Sequence, residues 1–96
     1  MTKETKMIIE EMLKIDTEEM QKAFERAATS VKEVEAIKAI VAELRAKNVD
    51  EEVLKIYLEE EQKAIEQNRR DYEEYKVLEA RVRVNTRILK AYEKEV

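Results

Sequence analysis

The chain has 96 residues, of which 44% are charged, a net charge of -4, and no Gly, Pro, Cys, His or Trp. An average chain carries about 7% Gly and about 5% Pro, so roughly a dozen of the two would be expected. Their absence, with that of Cys and His, excludes a disulfide framework, a thiolate or imidazole metal site, a Gly-rich phosphate loop, and a Ser/His or Cys/His nucleophile pair.

Hydrophobic residues still make up 44% of the chain, enough to argue for a folded state rather than disorder. The remainder is rich in Glu, Lys, Arg and Ala, strong helix formers whose combination without Gly or Pro marks long helices and coiled coils. Net negative charge opposes nonspecific binding to nucleic acid phosphates. The longest apolar run is Ala39–Ala42, far short of a bilayer span or a signal peptide core. A soluble, cytoplasmic protein without membrane contact is expected.

In chain order, helices are predicted over 3–15, 17–48 and 51–95, within a single helical domain 1–96. Asp16 followed by Glu19, and Ser30 followed by Glu33, both fit a capping box, so breaks are expected at Asp16 and, as a further candidate, at 29–30. The strongest turn signal is Asn48-Val49-Asp50. Asn tolerates the left-handed conformation at a helix end, Asp50 can cap the next helix, and Glu51 and Glu52 favour its N-terminus.

One apolar seam runs through the first half: Ile9, Leu13, Asp16, Met20, Phe24, Ala27, Val31, Val34, Ile37, Val41 and Leu44. A second runs from Leu54 and Leu58 through Ile65, Tyr72, Tyr75, Leu78, Val82, Leu89 and Tyr92 to Val96, with Glu61, Asn68 and Asn85 at polar positions. Its unbroken phase predicts one helix about 69 Å long at 1.5 Å per residue. Such a rod cannot fit in a compact globule of this length, whose radius of gyration is about 12–13 Å. The strict alternation of Arg81–Ile88 is strand grammar, but no second strand exists to pair with it.

The expected fold is therefore all-α: an elongated helical hairpin with a long C-terminal helix. Folding at Val49 places residues whose numbers sum to about 98 or 99 opposite each other, with Tyr75 against Phe24, Tyr72 against Ala27, and Asn68 near Ser30 or Val31. The apolar faces are wider than a hairpin seam needs. Met7, Ile8, Met12, Ala36, Ala39 and Ile40 flank the first seam, and Val77, Val84 and Ile88 flank the second. A homodimer completing a four-helix bundle would cover them; a compact monomeric three- or four-helix bundle is the alternative.

No residue pattern suggests an enzyme or a cofactor. Glu pairs such as Glu10-Glu11 and Glu73-Glu74 could in principle hold a metal, but di-iron bundles add His ligands, and a solvated helix face with Glu–Lys pairs such as Glu10–Lys14, Glu18–Lys22 and Glu59–Lys63 is the expected role of the Glu-rich stretches. The candidate interface residues are Asn68, Tyr72, Tyr75, Val77, Arg81, Val84, Asn85, Arg87, Ile88 and Tyr92. Tyr is enriched at protein interfaces, and an Asn on a seam selects register and partner number. Residues 51–68 carry two basic and six acidic side chains, whereas 69–96 carry eight and six. The cations at Arg81, Arg83, Arg87 and Lys90 could serve an acidic partner or pair with the first helix. Without interleaved aromatics they do not suggest single-stranded nucleic acid.

The composition resembles two broad kinds of protein: computationally designed helical bundles, and small natural helical adaptors or inhibitors of bacterial or phage type. The expected function is a helical assembly or protein–protein interaction module. An adaptor binding a larger protein through its basic, Tyr-containing C-terminal helix is the alternative.

Overall fold

The computed structural model describes residues 1–95; Val96, the last seam position, lies outside them. Two helices, α1 (Lys3–Ala46) and α2 (Glu51–Glu95), form an antiparallel hairpin. Its extents are 70 × 17 × 13 Å and its radius of gyration 21.1 Å, well above the compact value. The long rod is as expected, and the compact bundle is excluded.

α1 begins at Thr2, whose hydroxyl oxygen accepts from the Thr5 amide at 3.1 Å. It passes Asp16 and Ser30 without interruption, so neither expected break occurs. The reason is tertiary. The buried Asp16 carboxylate accepts from Arg81 on α2 at 3.0 Å, and the Ser30 hydroxyl accepts from the Asn68 amide on α2 at 3.0 Å while donating back to the Ala27 carbonyl at 3.2 Å. Neither side chain is free to cap. Arg81–Ile88 is helical throughout.

The turn at 47–50 closes as its sequence predicts. Asn48 takes φ 52°, the left-handed conformation that Asn tolerates. Its amide donates to the Arg45 carbonyl, and the Val49 amide to the Leu44 carbonyl, both at 3.3 Å. This is the paired hydrogen bonding of a Schellman cap, in which the side chains corresponding to Leu44 and Val49 meet; both are half-buried. Asp50 opens α2 with its main-chain carbonyl, which accepts from the Leu54 amide at 3.1 Å. No carboxylate cap by Asp50 accompanies it among the described residues.

The helices stay in register to the open end. Asp16–Arg81, Phe24–Tyr75 (ring centroids 5.6 Å apart), Arg26–Glu74 (3.0 Å) and Ser30–Asn68 (3.0 Å) all have numbers summing to about 98. The seven-residue repeat of buried and half-buried positions persists along both helices, as expected for helices coiling around each other. The core is small. Its buried apolar residues are Ala23, Val34, Val41 and Ala64, joined by the polar Asp16, Ser30 and Asp71.

Candidate interaction surfaces

Asp71 marks a departure from the expected seam. Tyr72 was the expected seam residue opposite Ala27, yet it is 50% exposed while Asp71 beside it is 7% exposed. The Asp71 carboxylate accepts from Gln67 Nε2 at 2.9 Å, so a short acid with a donor one turn away enters the seam. The Tyr72 ring instead stacks beside Tyr75 (centroids 6.4 Å apart) with Lys76 Nζ 4.7 Å above it. There it gains aromatic and cation–π contact while its phenol remains at the wet edge.

Asn68 forms the polar layer that the hairpin predicts. Its side-chain amide donates to Ser30 Oγ at 3.0 Å and to the Ala27 carbonyl at 3.1 Å. With Asn68, Tyr72 and Tyr75, residues Phe24, Ala28 and Val31 line one groove at mid-rod. Hydrogen bonding to Glu79 one turn on, aided by partial burial, raises the pKa of Tyr75 above the ordinary tyrosine value.

The other candidate residues lie elsewhere. Val77 is five residues beyond Tyr72, about 140° around the helix. Val77, Arg81, Val84 and Asn85 line a separate groove with Met12 and Ala80. Ile88 and Arg87 are exposed, and Tyr92 lines a third groove with Lys3 and Lys6. The ten candidates therefore do not form one site. Two of the four cations in the basic window are already engaged, Arg81 by Asp16 and Arg83 by Glu79.

The larger feature is a face that the candidate set only touched. On α1, Ile8, Met12, Ile15 and Ile40 stand exposed; on α2, Val53, Ile56, Tyr57, Val77, Val84 and Ile88 do. Three- and four-residue steps connect each set along one stripe, on the side of the hairpin away from Phe24 and Tyr72. Between the apolar ends both stripes turn polar: Glu19, Lys22, Arg26, Thr29 and Glu33 on α1, and Glu60, Lys63, Gln67, Arg70 and Glu74 on α2. A polar groove that includes Lys22, Arg26, Glu33 and Asp71 occupies this middle. The flanking apolar residues mark the open end of the face and, through Ile40, part of its turn end. Val53 and Ile56, a short apolar step beside Glu51-Glu52, read in the sequence as a solvated first turn.

Among the described residues no group of three or more acidic side chains is placed to hold a metal ion, and no helix is long and apolar enough to cross a membrane. Compared with protein families, with curated proteins and with solved structures, the chain shows no match to any of the three.

Proposed function

We infer that this chain is a non-enzymatic helical assembly module, a rigid hairpin that works by packing against another helical surface to make a four-helix bundle. The uncovered apolar face carries this reading. Among the described residues, ten large apolar side chains stand at least a third exposed along it, and only Val34 and Val41 in the buried apolar core are larger than Ala. Monomeric proteins rarely leave large apolar patches in water, and the two at the ends of this face have the character of association sites. A composition like that of designed bundles fits the same role.

Light scattering combined with small-angle scattering tests this. Doubled mass with a longest dimension still near 70 Å supports side-by-side assembly. A monomer up to about 100 μM that melts cooperatively by itself would overturn it.

The Phe24–Tyr72 groove favours a second reading, an adaptor that docks a larger protein on this opposite face. Tyr72→Ala and Phe24→Ala should then abolish capture of that partner while leaving the mass of the free protein unchanged.

A further inference from the structure

We propose that the face bearing Met12, Ile40, Ile56 and Val84 is covered by the same face of a second copy, with the two hairpins co-aligned and both turns at one end. The proposal rests on the assembly reading above and adds the partner, the face and the direction.

The apolar ends alone do not choose the direction. Both stripes are apolar at each end, so reversing one hairpin would still lay apolar surface on apolar surface. The charged middle decides. For two identical faces to meet, the twofold axis must lie in the plane between them, either along the rod or across it.

With the axis along the rod, α1 of each copy lies on α2 of the other at equal height. Facing residues then again have numbers summing to about 98, the register seen within the hairpin. Glu19 faces Arg81, Lys22 faces Glu74, and Glu33 faces Lys63, opposite charges in every case. Arg26 and Arg70 also come level, but each already has a carboxylate of its own chain, Glu74 and Glu66 respectively.

With the axis across the rod, α1 lies on α1. Bringing Met12 over Ile40 then sets Glu19 against Glu33 on α1 and, where α2 lies on α2, Lys63 against Arg81; Arg70 meets Glu74 there, and Arg26, already held by Glu74 of its own chain, meets Arg26. Like charges in a closing interface disfavour that arrangement, and complementary ones fix register and direction more than affinity. Both arrangements place each helix between two antiparallel neighbours, so the helix dipoles do not choose between them and the side-chain charges do.

Two measurements test the proposal. The first uses Ile15→Lys/Val84→Lys and, on the other face, Tyr72→Lys, with mass measured by light scattering and helicity by circular dichroism. The expected result is a helical monomer for the double variant and a dimer for Tyr72→Lys. Loss of the dimer in Tyr72→Lys alone would overturn the choice of face while leaving assembly intact. A wild-type monomer throughout would overturn assembly itself. The second places one spin label on Lys47→Cys, in a chain with no other Cys. Co-aligned copies hold their labels within about 25 Å, a few interhelical spacings. A separation approaching the 70 Å rod length would overturn co-alignment and establish the reversed pairing.

Discussion

Asp16 and Arg81 are 65 positions apart in the chain, yet Asp16 Oδ2 accepts from Arg81 Nε at 3.0 Å. The acid is buried and the arginine side chain is 55% exposed, so removing each partner has a different consequence. Arg81→Ala leaves a carboxylate between the helices with no cation, whereas Asp16→Ala leaves a guanidinium that water can solvate. Breaking a fully buried pair costs about 3–5 kcal/mol. Screening at the exposed arginine reduces this, so about 1–2 kcal/mol is expected for Arg81→Ala and less for Asp16→Ala. Urea unfolding of both variants checks the order. Asp16→Leu should raise stability, because an apolar group of similar volume avoids the desolvation cost.

The Asn68 layer should respond in the same manner but more weakly. Ser30→Ala removes the acceptor at 3.0 Å and leaves Asn68 only the Ala27 carbonyl. A cost of about 1 kcal/mol is expected, the usual worth of one hydrogen bond. Asn68→Leu should melt at higher temperature but allow slippage between helices, visible as broadened Phe24 and Tyr75 ring signals in NMR spectra.

Asn48 pays for the turn with a left-handed backbone, φ 52°. Asn48→Gly should stabilise the hairpin by about 0.5–1 kcal/mol, since Gly reaches this region without Cβ strain. Asn48→Val should destabilise it by more than Asn48→Gly gains. Thermal melts of the two variants should bracket the wild type.

Tyr75 gives the hairpin an alkaline limit. Its pKa is raised in the folded state by Glu79 and burial, so the folded chain holds this proton more tightly than the unfolded one. The associated stability is fully present below the unfolded tyrosine pKa of about 10 and is lost as pH rises through the higher folded value. Tyr75→Phe should flatten the decline of melting temperature above pH 10 and remove the last-ionising component of an absorbance titration near 295 nm. Glu66 works at the opposite end of the pH scale. Hydrogen bonding to Arg69 lowers its pKa, so its contribution is present above the unfolded carboxylate value and is lost as pH falls through the folded one. Because the pair is exposed, added salt should weaken it.

Much of this protein follows from its sequence alone. Without Gly or Pro, and with apolar residues at three- and four-residue steps on both sides of Asn48-Val49-Asp50, two long helices and one sharp turn are the structure its backbone supports best. The pairing of Phe24 with Tyr75 and Asn68 with Ser30 then follows from folding at Val49. Tertiary structure decided the rest. Capping boxes at Asp16 and Ser30 have the same spelling whether or not a helix ends there, and only contact with α2 turns their side chains inward. Neighbours such as Asp71 and Tyr72 compete for one seam position, and the winner depends on which polar group finds a donor between the helices. The interface candidates were chosen along one helix, but a face belongs to two. The five-residue spacing already sets Tyr72 and Val77 about 140° apart around α2, but only pairing in register decides that Tyr72 shares its side with Phe24 and Val77 shares its side with Met12.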